Sequence, residues 1–199
     1  MADVNPAVEA VLRKSRESRT TQERFFSEFA TRIAGCAKAM ASAFDSGARL
    51  FAMGNGGSWS DAQHATVEFM HPILEKRPPL PAVTLAAEPA LLTAVSNDAD
   101  FTVAFSRQLR LLARRGDSAL GISTSGKSAG VIRALKTARE LGLLTVGLSG
   151  RDGGSMVDLC DHPFVVPSFS IHRIQETHAT LLHVLWDLIH VARGEEDVL

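Results

Sequence analysis

Met53-Gly-Asn-Gly-Gly-Ser-Trp-Ser-Asp-Ala-Gln-His-Ala-Thr-Val-Glu68 is where an apolar run gives way to a helical pattern. Residues 49–53 predict a short buried strand, and residues from about Ser60 onward have helical spacing. The glycines between them let the backbone turn sharply, so N–H groups at the helix start can face an anion, with the Ser58 hydroxyl as a further donor. The same pattern also occurs in simple tight turns, so the loop alone leaves both interpretations open.

The predicted helix carries two side chains that suit chemistry. His64 and Glu68 are four residues apart and therefore lie on one helix face. An imidazole and a carboxylate so placed can share a metal ion or divide a proton transfer. A solvated helix face often carries the same pair, so other parts of the chain must decide between these interpretations.

Length and composition favour one α/β domain. The chain has 199 residues, of which 45% are hydrophobic and 22% charged. We divide it into an N-terminal helical extension (1–19), the domain itself (20–192) and a short tail (193–199). A formal net charge of -1 gives no global attraction to nucleic acid or to an anionic membrane.

Several features predict a cytoplasmic protein. Cys36 and Cys160 are far apart and fit neither a disulfide framework nor a Cys-x-x-Cys site, which suits a reducing compartment. No apolar run approaches the roughly 20 residues of a membrane span. Residues 1–6 lack the basic end and apolar segment of a signal peptide.

Apolar periodicity predicts alternating strands and helices. A charged helix over residues 6–19 precedes a longer one from Thr20 or Thr21 to about Phe44, whose apolar stripe is Phe25, Phe26, Phe29, Ile33, Ala37, Met40 and Phe44. After the first strand, further strands are predicted at 82–86, 118–122, 144–148 and 164–166. Helices are predicted at 89–95, 102–113, 131–141 and 171–191. This order predicts a doubly wound, five-stranded parallel sheet with ligands at the carboxyl ends of its strands.

A second loop of small polar residues follows the third strand. Gly121-Ile-Ser-Thr-Ser-Gly-Lys-Ser128 fits the GxxxxGK[ST] pattern of nucleotide-binding loops. Such enzymes also need an acidic residue at the end of an apolar strand to hold magnesium, and neither 144–148 nor 164–166 ends in one. We therefore disfavour a nucleotide hydrolase. The loop still predicts a phosphate site, because its hydroxyls and helix-terminal N–H groups can surround a phosphate.

Together these pieces resemble the sugar isomerase (SIS) superfamily, and within it the bacterial phosphoheptose isomerases. The resemblance covers about residues 20–192 and rests on an ordered set of motifs: Gly-Asn-Gly-Gly-Ser58, Asp61-Ala-Gln-His64 with Glu68, Arg77-Pro, Ser96-Asn-Asp98, the 121–128 loop, Gly150-Arg-Asp-Gly-Gly154 and Arg173-Ile-Gln-Glu-x-His178 followed by His183. It implies conversion of sedoheptulose 7-phosphate to D-glycero-D-manno-heptose 7-phosphate through an enediol. It also implies a homotetramer with sites at subunit interfaces.

The resemblance further implies roles for individual residues. One Zn²⁺ per site would be held by His64, Glu68, Gln175 and His183, and Glu68 with His183 would be the catalytic acid/base pair. The substrate would be bound by Asn55, Gly56, Gly57, Ser58, Glu68, Asn97, Asp98, Ser123, Thr124, Ser125, Ser128 and Gln175. A carboxylate, an imidazole and a zinc ion supply what an enediol isomerisation needs.

Helix geometry complicates this ligand set. On one continuous helix, Gln175 and His183 are separated by about 12 Å of rise and roughly 80° of rotation. Either the last helix begins after Gln175, or the site combines residues of neighbouring subunits.

Two alternative functions stay open. One is a non-catalytic SIS protein that binds the bacterial replication initiator, although such a scaffold has no chemical reason to keep Glu68 and His183. The other is an isomerase of a different ketose phosphate. It is suggested by departures from the family pattern at Trp59-Ser60, at Met70-His-Pro-Ile-Leu74 and at His172.

Overall fold

A parallel sheet of five strands lies at the centre of the protein, described here by a computed structural model over residues 5–73 and 77–197. The strands are β1 (Leu50–Met53), β2 (Ala82–Thr84), β3 (Ser118–Ser123), β4 (Leu144–Gly150) and β5 (His162–Val166). Their order across the sheet is β2-β1-β3-β4-β5. β1 and β3 are buried along their whole length, as strands covered on both faces must be.

Six helices surround the sheet: α1 (Pro6–Asp45), α2 (Gly57–Met70), α3 (Pro89–Asp98), α4 (Ala104–Leu112), α5 (Ala129–Leu141) and α6 (Ile171–Ala192). Short 3-10 turns lie at Phe101–Val103 and Gly154–Leu159. α1, α2 and α6 form one apolar core with one face of the sheet, whereas α4 and α5 form a second core with the other. The predicted doubly wound architecture is confirmed.

The N-terminal helix differs from the prediction. Residues 6–19 and the following apolar stripe form one helix, so the predicted break near Thr20 is wrong. Asn5 caps its start, accepting a hydrogen bond from the Ala7 N–H at 2.9 Å, and neither proline nor glycine occurs between Ala7 and Ala34 to end it. The boundary at residue 19 therefore divides a continuous helix, and a separate extension stays a prediction.

Several other boundaries shift. α2 begins at Gly57 rather than about Ser60, and α3 continues to Asp98 rather than ending at residue 95. β4 extends to Gly150 because it stays paired with β5 there. Leu74, in one of the departures from the family pattern, lies outside the described residues. No helix in the described part of the chain is long and apolar enough to cross a membrane.

Candidate active site

The first predicted phosphate loop connects β1 to α2. Gly56 has a φ of 56°, a backbone conformation that favours glycine, and it allows the turn into the helix. A Cβ on Gly57 would lie 2.1 Å from Nε2 of Gln175, so any other residue at this position would require that amide to move. Ser58 is buried at the helix start, where no side chain caps the first N–H groups of α2. The N–H groups of residues 58–60 already donate to carbonyls of the loop, so an anion would meet the N–H groups of the glycines that precede them.

The second loop lies beside the first. β1 and β3 are paired neighbours, with Met53 opposite Gly121, so their carboxyl ends meet at the same edge of the sheet. A hydrogen bond of 2.6 Å from Asn55 Nδ2 to Ser128 Oγ joins the two loops directly. Lys127 forms an exposed ion pair of 2.8 Å with Asp152. Ser128 thus faces the first loop, while Lys127 is paired with the loop after β4.

His64, Glu68 and His183 lie close together on the outer surface of α2 and α6. His64 Nε2 is 3.2 Å from Glu68 Oε1 and 3.1 Å from His183 Nε2. One donor atom from each of the three residues lies within 4.8 Å of the others. Tetrahedral zinc with bonds of about 2 Å separates its ligand atoms by about 3.3 Å, so the donor types and the two separations from His64 fit this metal.

Gln175, the fourth predicted ligand, occupies a different position. It lies on α6, which begins at Ile171, so the possibility that the helix starts after Gln175 is wrong. Its amide packs against Gly57. His64 is seven residues farther along α2, about 10 Å of helical rise. Within one protomer, Gln175 therefore lies with the phosphate loops rather than with the His64, Glu68 and His183 cluster.

The hydrogen bond between Asn97 and Asp98 involves neither phosphate loop. They are exposed on the last turn of α3, and Asn97 Nδ2 donates a hydrogen bond of 2.7 Å to Asp98 Oδ1. The structure therefore pairs these two predicted substrate-binding side chains with each other.

A supporting network beneath Glu68 is not apparent from sequence reasoning. Trp186 Nε1 donates a hydrogen bond of 2.8 Å to the backbone carbonyl of Glu68. The buried Arg77 guanidinium lies 4.7 Å from the centre of the Trp186 ring and 2.6 Å from an oxygen of Asp187. Arg77 is part of a quoted motif, but only the fold shows that it stabilises the end of α2 that carries Glu68.

Asp61 belongs to a motif on which the resemblance rests, but sequence reasoning assigned it no role of its own. It precedes His64 by three residues, and its Oδ2 is buried without a hydrogen-bond partner in the described chain. Burial raises the pKa of Asp61 to about 6, and the nearby His64 partly opposes this shift. A carboxyl group three residues before a histidine on a helix was the available signal.

Trp59 lines an apolar cavity of about 290 Å³ beside the first loop. Its indole N–H donates a hydrogen bond of 3.0 Å to the Leu85 carbonyl, which fixes the ring. Phe101 and Phe105 line the same cavity. This departure from the family pattern therefore shapes the surface next to the proposed phosphate loops.

Comparison with known proteins assigns the family. An SIS-domain family model matches residues 15–150. The phosphoheptose isomerase of Geobacter sulfurreducens is 45% identical, and that of Aquifex aeolicus 41% identical, each over 92% of this chain and 95% of the relative. The structure of a phosphoheptose isomerase from Francisella tularensis superimposes with a TM-score of 0.89 at 32% identity, covering 94% of this chain and 100% of that one. The chain therefore belongs to the phosphoheptose isomerase family of SIS-domain enzymes.

Proposed function

We propose that the protein interconverts sedoheptulose 7-phosphate and D-glycero-D-manno-heptose 7-phosphate. The observation that carries this proposal is the clustering of His64 and Glu68, on the helix that starts at a phosphate-type loop, with His183 of α6. A scaffold that only binds a partner protein has no need for an acid/base pair in this place. The geometry therefore favours an enzyme over the initiator-binding alternative.

The substrate phosphate is assigned to the two loops at the carboxyl ends of β1 and β3. The glycine loop and the positive end of the α2 dipole attract a dianion, and the Asn55–Ser128 hydrogen bond holds the loops together. In this proposal Gly56 and Gly57 give the anion access to the backbone, and the hydroxyls are those of Ser58, Ser123, Thr124, Ser125 and Ser128. Asn97, Asp98 and Gln175 are assigned to the sugar hydroxyls.

Two residues divide the proton transfers. The Glu68 carboxylate takes a proton from carbon 1 of the ketose, and the electron pair left behind forms the enediol. The His183 imidazole moves a proton between the oxygens on carbons 1 and 2. Return of the carbon-bound proton to carbon 2 then gives the aldose, with no net change in protons.

His64, Glu68 and His183 are the residues that would hold a zinc ion, one per site, because their donor atoms already have suitable separations. When bound, zinc supplies positive charge that stabilises a developing oxyanion. Trp186, through its hydrogen bond to Glu68, keeps the α2 backbone in place under these ligands.

We also propose a homotetramer with sites at subunit interfaces. Ser58 and Glu68 are separated by about 15 Å of rise along α2, so one protomer places the phosphate and the acid/base pair far apart. Apolar side chains around the cluster are exposed, among them Val67 (54%), Met70 (53%) and Ile73 (83%). A neighbouring subunit that covers this surface would bring its own Gln175 and phosphate loops to the cluster.

The proposed location is the cytoplasm, and the proposed ligand is a small sugar phosphate. Support for this location comes from Cys36 and Cys160, which are both free thiols in the structure. Neither nucleic acid nor a membrane is proposed as a partner, because the net charge of -1 attracts neither.

The decisive experiment uses Glu68→Gln and His183→Gln with a panel of ketose 5-, 6- and 7-phosphates. Both variants should lose at least a hundredfold in kcat, because removing a general acid or base typically costs this much. Exchange of solvent deuterium into carbon 1 of the substrate separates the roles, since only Glu68→Gln should abolish it. Near-normal exchange in Glu68→Gln would contradict the role of Glu68 as the carbon base. If wild type converted only a pentose or hexose phosphate, the proposed heptose substrate would be wrong.

A further inference from the structure

A cleft lined by arginines separates the first part of α1 from the start of α6. It has a volume of about 500 Å³ and contains Arg13, Arg16, Arg24 and Arg173. A single carboxylate, Glu17, also lines it. We call it the arginine cleft. The proposed isomerase chemistry uses none of these residues.

Two of the four guanidinium groups are already paired. Arg13 forms an ion pair of 2.9 Å with Glu17, and Arg173 forms one of 2.7 Å with Glu176. Among residues 5–73 and 77–197, no carboxylate forms an ion pair with Arg16 or Arg24. Concentrated positive charge of this kind raises the local potential and favours a multivalent anion.

The geometry of the cleft also suits phosphate groups. Arg173 is mostly buried, and it is held by Glu176 and by a hydrogen bond to the Lys14 carbonyl, so its position is fixed before a ligand arrives. The hydroxyls of Ser168 and Ser170 line the same cleft. Guanidinium groups bind phosphate oxygens through paired N–H donors, and hydroxyls add further hydrogen bonds.

The arginine cleft is separate from the proposed substrate phosphate loops. Its serines follow β5, whereas the substrate loops follow β1 and β3. β5 lies two strands beyond β3 in the sheet, a separation of about 10 Å at normal strand spacing. No residue that lines the cleft belongs to either substrate loop.

We infer that the arginine cleft binds a small molecule that carries a diphosphate group. Arg16 and Arg24 form no ion pair within the described residues, and two such cations match the two phosphate groups of a diphosphate better than a single phosphate. The volume of the cleft accommodates a compact ligand of this class. Arg173 and Gln175 are two residues apart on α6. A ligand bound to Arg173 would therefore contact the helix that carries Gln175 and His183.

The test is a calorimetric titration of the full-length protein with inorganic pyrophosphate at low ionic strength. Wild type should show two classes of sites. The double variant Arg16→Ala/Arg24→Ala should lose one class, with its affinity falling at least tenfold, and should keep the other. Ser125→Ala/Ser128→Ala should show the reverse, since it affects only the proposed substrate loops.

Arg107→Ala is the matched control, because it removes an exposed arginine from α4, outside the cleft. It should leave both classes unchanged. A single class that only the serine variant removes would overturn the inference while leaving the proposed isomerase intact. A change of oligomer mass in the arginine variant, with unchanged pyrophosphate binding, would also overturn it by assigning the cleft to contact between copies. If wild type lacked only the class of sites that depends on Ser125 and Ser128, the proposed substrate site would be wrong and the arginine cleft would stand.

Discussion

At the residue scale, His178 shows how burial fixes the protonation of a side chain. Its Nε2 is 3.0 Å from the Ser149 carbonyl, and since a carbonyl oxygen only accepts, Nε2 carries the proton. Nδ1 is buried without a hydrogen-bond partner in the described chain. Burial lowers the pKa of His178 from 6.5 to about 4, opposed in part by the hydrogen bond to Ser149.

This shift predicts a loss of stability in mild acid. Between pH 6.5 and about 4 the unfolded chain binds a proton at His178 and the folded chain does not, so the free energy of unfolding falls as pH falls. The contribution at pH 4 is about 3 kcal/mol relative to neutral pH. Urea unfolding of wild type and His178→Gln at pH 7, 6, 5 and 4 should show a smaller pH dependence in the variant.

Wild type and His178→Gln share all other titrating groups, so the contributions of those groups to the pH dependence of stability cancel. Burial also lowers the pKa values of His162 and His190 and raises that of Asp61. Equal pH dependence in wild type and His178→Gln would contradict the assignment to His178.

The sequence predicts single residues well only where local spacing determines their relation. Four-residue spacing on a helix places His64 beside Glu68, and the structure has them 3.2 Å apart. His183 is 119 positions from His64, so its 3.1 Å approach depends on how α2 and α6 pack. Only the family resemblance suggested this pairing, because periodicity within an element carries no information about its neighbours. The roles of these residues stay predictions.

At the scale of elements, helix interiors follow the sequence more closely than their ends. The α1 stripe is buried as predicted, with Phe25, Phe29 and Ile33 in the core. The predicted break near Thr20 assumes that Thr20 or Thr21 caps a new helix, yet the Thr21 hydroxyl donates to the Glu17 carbonyl within one continuous helix. α3 likewise takes in 96–98, although Ser, Asn and Asp usually favour helix ends and turns.

The packing of α2 against α6 predicts metal binding. Protein purified without chelator should hold about one zinc per chain, because three ligand atoms are already close together. His64→Ala should lose most of this zinc, while circular dichroism should show an intact fold, since the side chain is partly exposed. Metal analysis by mass spectrometry makes the measurement.

Gln63→Ala is the matched control for that experiment. Gln63 is the exposed neighbour of His64 on α2 and belongs to neither phosphate loop. It should retain the zinc content of wild type. Equal zinc in His64→Ala and Gln63→Ala would remove His64 from the metal site.

At the scale of the whole molecule, the sequence predicts the sheet but not how one site is assembled. Alternating strands and helices indicate a parallel sheet covered on both faces, and this is confirmed. The order of strands and the contact of Gln175 with Gly57 depend on tertiary packing. That contact places one predicted metal ligand away from the other three within a protomer. The proposed tetramer would supply the fourth ligand from a second subunit.

Subunit mixing tests whether each site is shared. Glu68→Gln and Gln175→Ala should each be nearly inactive alone. If a site takes Glu68 from one subunit and Gln175 from another, random mixed tetramers should recover about a quarter of wild-type activity, since half of the protomers supply each intact residue. Mixing Glu68→Gln with His183→Gln should recover none, because His64 links these two residues in the same protomer. Recovery in neither mixture, with mixed tetramers verified by native mass spectrometry, would place Glu68 and Gln175 in one subunit.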